Sequence, residues 1–358
     1  RRRPFIGDSG QNRSGNWVKT DKLTGTIERR RPVLKGVFVI QVQYRIPPMP
    51  FRSVHSFLAF RLLLMFFAML PPATSLAEEP LRIPLWPGVA PGDAGRQIPP
   101  EVDDAVAKPS PVAGRPIQRI ANVSQPELFV FPAANRQAPG PAVVICPGGA
   151  YQILALDLEG TEVAKWLQSL GITAIVLKYR VPARDPNRRW EAALQDAQRA
   201  MRLVRSRAQE WMIDPQRVGI LGFSAGGDAA ARTMLTPEAQ YEPVDAVDQS
   251  PITPNLGILV YPAYLVEGDP LQLRKDLAVT PQSPPAFLVH ALDDPVVMES
   301  SLHLFSAYRK VKVPAELHIF DRGGHGYGLR PTEAPVTRWS EACERWLETH
   351  GWVASKQN

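Results

Sequence analysis

The chain has 358 residues, 44% hydrophobic and 21% charged, a globular composition long enough for one large domain or two small ones. Its 37 prolines are about twice the usual ~5% share, which argues for long ordered loops and against an all-helical fold. The net charge of +6 is uneven: residues 1–77 carry 13 of the 41 Lys/Arg and 3 of the 35 Asp/Glu, a net of +10, which leaves −4 for residues 78–358. The basic character therefore belongs to the N-terminal stretch, and no nucleic-acid partner is expected for the rest.

Residues 1–48 show no sustained apolar period and are expected to be an over-extended N-terminus, with Met49 as the true start, or a disordered basic tail. Residues 49–77 have the layout of a secretory signal peptide. Arg52 and Arg61 precede an uncharged apolar run from Leu62 to Leu70, Pro71 and Pro72 end it, and Ser75-Leu76-Ala77 places small residues before Glu78. The run is too short for the ~20 apolar residues of a membrane span. The expectation is an exported protein, periplasmic or extracellular, without stable membrane association after cleavage. Residues 78–109, rich in Pro, Gly and Asp, predict an extended arm, and residues 110–352 a single catalytic domain.

Two alternating strand patterns come first, at 117–123 and 127–131. Continuous apolar runs follow at 142–146, 172–179, 217–223, 256–261, 286–292 and 315–320. Continuous runs suit strands buried on both faces, as in a parallel sheet. Amphipathic helical patterns separate them at 160–170, 190–211, 228–235, 298–311 and 336–350. This alternation predicts a mostly parallel, doubly wound α/β sheet with helices on both faces. Cys146 and Cys343 sit in apolar segments without a CxxC neighbour, which predicts two buried free thiols and no metal or redox site.

Gly222-Phe223-Ser224-Ala225-Gly226 is a Gly-x-Ser-x-Gly pattern. Three fixed positions alone arise by chance roughly one time in ten in a chain this long. The setting is more specific. An apolar strand pattern precedes it, a helix pattern follows, and the glycines leave room for the sharp strained turn that exposes a nucleophilic serine. A serine hydroxyl needs an adjacent base, and in this arrangement the partners follow in the order Ser, acid, His. His303 and His350 fall in helix patterns, His318 in a strand pattern, and His290 at a strand end. His325 alone lies in a Gly-rich loop, residues 321–329, directly after a strand, and is the candidate base. The acid belongs in the preceding strand-end loop, which offers Asp293 and Asp294; spacing does not separate them. The backbone N–H of Ala225, with that of Gly149 or Ala150 in the loop 146–151, would bind the oxyanion, because Pro147 has no N–H. Gly148, Tyr151 and Tyr327 are candidate substrate contacts.

These stretches resemble the serine α/β-hydrolases of the carbohydrate-esterase kind, close to bidirectional feruloyl and acetyl-xylan esterases, whose members are sometimes labelled xylanases. The resemblance lies in residues 145–182, 188–205, 214–231, 258–264, 288–301 and 323–329. It implies the α/β-hydrolase fold and hydrolysis of a short acyl ester, acetyl first and feruloyl second, on a carbohydrate such as xylan, without a cofactor or metal. The family's acid loop, laid on His290, makes Asp294 the triad acid. Three positions depart from the pattern: Ala291 and Ala150 stand where glycine is usual, and Asp228 where histidine is common. Glu159 and Arg180 match it, and scaffold salt bridging suffices to explain them. A serine peptidase of the prolyl-oligopeptidase kind is the alternative, although the chain leaves no room for its usual large extra domain. A glycosidase would need a placed carboxylate pair, to which nothing points.

Overall fold

The computed structural model describes residues 79–103, 111–134 and 137–354. The expected signal segment and the stretch before it lie outside these residues. No helix among the described residues is long and apolar enough to cross a membrane.

Eight strands form one sheet: β1 (Leu81–Pro84), β2 (Glu127–Phe131), β3 (Gly140–Cys146), β4 (Thr173–Lys178), β5 (Ile213–Phe223), β6 (Gly257–Val260), β7 (Ala286–Ala291) and β8 (Ala315–Phe320). Their spatial order is β1-β2-β4-β3-β5-β6-β7-β8. The β1–β2 and β2–β4 pairs are antiparallel, and every later pair is parallel. Helices α1 (Glu162–Ser169), α2 (Glu191–Ser206), α3 (Ser224–Leu235), α4 (Glu299–Val311) and α5 (Trp339–Thr349) join the parallel strands or follow the last of them.

The central strands β3, β4, β6 and β7 are buried at every position. Side chains on both faces are then removed from water, so an uninterrupted apolar run is what such a strand requires. The run at 315–320 behaves differently. It becomes β8, an edge strand whose residues are mostly half-buried, with Ile319 42% exposed. The helix predicted over 190–211 ends at Ser206. Turns then lead the chain through Met212, at φ 52°, into β5. The arm is partly integral to the fold, because residues 81–84 supply β1. Trp86 also donates its indole N–H to Asp196 Oδ1 at 2.8 Å. Both cysteines are free and buried, and burial pushes both thiols upward in pKa.

The parallel strands all point the same way, so their C-terminal ends share one edge. Loops at 147–152, 261–265, 292–298 and 321–330 gather there, together with the β5–α3 junction. In an open α/β sheet this carboxyl edge is where ligands bind.

Candidate active site

Strand β5 ends at Phe223 and α3 begins at Ser224, which has φ 51°. A non-glycine residue in this region costs on the order of 1–3 kcal/mol and persists only where its surroundings hold it. The restraint is close packing. A Cβ on Gly222 would lie 2.2 Å from the Gly226 carbonyl oxygen, and one on Gly226 would lie 2.1 Å from that of Cys146. Absence of a side chain at Gly226 thus lets the start of α3 rest against the end of β3, bringing Ala225 beside the loop after β3. Gly226→Ala is expected to destabilise the fold by about 3 kcal/mol, because both clashing atoms are backbone. A lowered denaturant midpoint together with lost activity would report it.

Ser224 is 9% exposed. Its hydroxyl donates to His325 Nε2 at 2.8 Å, and His325 Nδ1–H donates to Asp294 Oδ2, also at 2.8 Å. These proton positions follow from the network: a carboxylate only accepts, so Nδ1 carries the hydrogen and Nε2 faces the serine. Asp294 is further held by the Val296 N–H at 2.7 Å and by His290 Nε2 at 3.3 Å. Burial acts to raise the Asp294 pKa, but the hydrogen bonds from His290, His325 and Val296, with the charge of His325, bring the carboxyl below its ordinary value. His290 rests on Ser301 Oγ at 2.9 Å and so props the acid loop. Asp293 is oriented elsewhere. Its Oδ1 accepts the N–H groups of Gly323 and Gly324 at 2.9 and 2.7 Å, anchoring the loop that carries His325. His303, His318 and His350 remain apart, in α4, in β8 and at the end of α5.

Among the described residues, the N–H groups of Gly149, Ala150 and Ala225 have no acceptor within the chain. Ala150 has φ 57° and Gly149 φ 137°, so this loop reverses sharply beside the serine. The Gly148 N–H is taken: it donates to Glu159 Oε2 at 2.6 Å, and a Cβ on Gly148 would meet that oxygen at 2.7 Å and Ser224 Cβ at 2.9 Å. Gly148 is therefore buried structure and not an open substrate contact. Tyr327 is also buried, its ring edge-on to Tyr261 at a centroid distance of 4.4 Å. Tyr151 is buried too, its hydroxyl donating to Asp228 Oδ2 at 2.7 Å. Both tyrosines are buried packing residues, and Tyr151 also contributes to the wall of a neighbouring cleft.

The profile of the alpha/beta hydrolase fold family matches residues 143–283. An acetyl ester-xyloside bifunctional hydrolase from Caldicellulosiruptor lactoaceticus is 31% identical, superposes with a TM-score of 0.60, and is covered over 100% of its length by 78% of this chain. The chain belongs to the alpha/beta hydrolase family. The chain is also 32% identical to an acetylxylan esterase of Xylanibacter ruminicola, over 53% of its own length and 42% of the relative's. It thus spans less than half of that curated relative. An esterase of Thermogutta terrifontis, at 24% identity and a TM-score of 0.57, shares the fold.

Two buried groups connect the loops around the serine. Glu159 accepts from Gly148 N–H through one oxygen and from the Tyr261 hydroxyl through the other, at 2.8 Å. The Tyr261 oxygen in turn accepts the Gly328 N–H at 3.1 Å, and its ring lies 4.8 Å from that of His325. The oxyanion-side loop and the histidine loop are thereby tied through one carboxylate and one phenol. Burial raises the Glu159 pKa, opposed by hydrogen bonds from Tyr261 and Gly148 and by the charge of His325. Glu159→Gln keeps the shape but removes one acceptor and the charge. A hydrogen bond to a charged group is worth about 1.5–3 kcal/mol, so kcat is expected to fall about tenfold or more and the thermal midpoint by several degrees. An unchanged kcat would show that the tie is dispensable.

Tyr261 received no role from the sequence; its one signal was its place directly after β6, at the carboxyl edge. Asp228, the departure from the family pattern, accepts from Arg232 Nε at 2.9 Å as well as from Tyr151. Burial lifts its pKa to about 6 despite the Arg232 charge and both bonds. Arg180 is scaffold: it is fully buried and forms an ion pair with Asp196 at 3.0 Å.

A surface cavity of about 600 Å³ among the described residues contains none of these groups. It lies under the arm, and its charged side chains are already paired: Asp93 with Arg184 at 2.8 Å, and Glu127 with Lys178 at 2.7 Å. Volume alone does not mark the chemistry.

Proposed function

We propose that this protein is an exported serine esterase that removes short acyl groups, acetyl first, from a carbohydrate such as xylan. The observation carrying this reading is the continuous relay Ser224–His325–Asp294 at a strained strand-to-helix turn. His325 takes the hydroxyl proton as Ser224 attacks the ester carbonyl, and Asp294 stabilises the resulting imidazolium. The N–H of Ala225, with that of Gly149 or Ala150, binds the oxyanion. As the C–O bond breaks, the proton passes to the leaving sugar oxygen, which departs as the free hydroxyl, and an acyl-serine remains. Water, activated by the same histidine, releases the acid. The relatives named for acetylxylan and acetyl ester hydrolysis support the acyl and sugar class.

A side-by-side assay of acetylated xylan, an aryl acetate, methyl ferulate, an aryl xyloside and a prolyl peptide tests this. Turnover is expected on the acetyl esters, more slowly on methyl ferulate, and not on the xyloside or the peptide. Peptide cleavage without ester cleavage would overturn the reading. For export, N-terminal sequencing of the native protein is expected to start at Glu78.

A further inference from the structure

One turn of α3 beyond Ser224, about 6 Å along the axis at 1.5 Å per residue, a second cleft opens. It has a volume of about 150 Å³, and Tyr151, Asn187, Arg189, Trp190 and Tyr264 form much of its wall. Charged groups within it differ in how fully they are neutralised. Arg232 pairs with Asp228 and Asp276, both at 2.9 Å. Arg274 pairs with Glu267 at 3.0 Å and Asp276 at 3.1 Å. Both oxygens of Asp228 are occupied, one by Tyr151 and one by Arg232. Arg189 has no carboxylate partner among the described residues. It donates one N–H to the Ala150 carbonyl oxygen and lies over the Tyr264 ring, 5.3 Å from its centroid. Those two contacts orient the guanidinium and leave its other N–H groups unbonded. The Asn187 side-chain amide and the Trp190 indole N–H are also unbonded among the described residues, and Tyr264 is 39% exposed.

An oriented guanidinium without a counter-charge suits a carboxylate, which it can grip through two parallel hydrogen bonds. An exposed aromatic ring and two free donors suit the hydroxyl-bearing ring to which such a carboxylate is attached. Arg189 holds the carbonyl of Ala150, a candidate oxyanion residue, so the cleft adjoins the place where the ester would sit. We propose that it is a subsite for an acidic sugar, a uronate unit of the polysaccharide whose ester is cleaved. This rests on the esterase reading above and narrows it to acid-bearing carbohydrate.

The test compares kcat/KM on acetylated xylo-oligosaccharides with and without a glucuronate branch, for the wild type, Arg189→Gln and Arg189→Lys. The wild type is expected to favour the branched substrate about tenfold or more, less so at high salt as the charge is screened. Arg189→Gln should bring the ratio to about one, and Arg189→Lys should restore part of it. A merely structural effect on the Ala150 loop lowers both substrates together and leaves the ratio unmoved. No wild-type preference, or a preference that survives Arg189→Gln, overturns the proposal. If no ester is turned over, the esterase reading fails, and titration of Ser224→Ala with glucuronate decides the cleft. Saturable binding lost on adding Arg189→Gln supports a uronate site; no binding overturns it. Binding of free glucuronate with no preference between the two esters assigns the cleft to a free acid and likewise overturns the subsite.

Discussion

Ser224→Ala is expected to lower kcat on an aryl acetate by about 10⁶-fold. In the proposed mechanism Oγ is the atom that forms the acyl bond, and His325 and Asp294 cannot act on the ester without it. The residual rate should still exceed that in water by roughly 10³–10⁴, because the proposed oxyanion donors at Ala225 and the loop after β3 remain. The fold should survive. Alanine occupies the same φ, the helix still starts at residue 224, and the lost bond to His325 is a part-buried one. The check has two parts: steady-state turnover, and labelling by a fluorophosphonate probe followed by peptide mass spectrometry. The wild type should carry the adduct on the Ser224 peptide, and the variant should carry none. Hydrolysis at the wild-type rate would remove Ser224 from the mechanism.

Asp294→Asn is expected to cost about 10⁴-fold in kcat with little change in KM. The asparagine amide can present N–H₂ to His325 Nδ1, which favours the tautomer with its hydrogen on Nε2, facing the serine. The imidazolium would also lose the anion now 2.8 Å away. The neighbour serves as the internal control. Asp293 meets no catalytic group; it accepts two N–H bonds from Gly323 and Gly324 at the base of the histidine loop. Asp293→Ala frees those N–H groups to water at an exposed position, so the loss in kcat should stay within about tenfold and be accompanied by a lower thermal midpoint. Equal losses from the two substitutions would mean that loop position, and not charge at His325, is what matters.

Much of this molecule was legible in the chain alone. Continuous apolar runs marked the central strands, because a strand covered on both faces has no polar side to show. The edge strand β8 carried the same kind of run yet lies half open, since hydrophobicity alone does not reveal what covers a strand. The helix predicted to 211 stops at 206 because the turn into β5 intervenes, and a local period does not report a later strand's position.

The site divides in the same way. Ser224 and His325 were recognisable from local context: a strand-turn-helix pattern with glycines, and a histidine in a glycine-rich strand-end loop. Asp293 and Asp294 were not separable by spacing, because adjacent residues differ only in where the side chain turns. Tertiary structure directs Asp294 to the imidazole and Asp293 to the loop backbone. It also decided that Gly148, Tyr151 and Tyr327 are buried, that Glu159 meets Tyr261 across 102 residues of sequence, and that Arg189 stands without a counter-charge among the described residues. Composition, apolar period and short motifs are properties of neighbours in the chain, so the sequence by itself determined the fold class and singled out the serine and the histidine as candidates. Burial, pairing and charge compensation are properties of neighbours in space, and only the folded sheet, which brings four loops to one edge, could decide them.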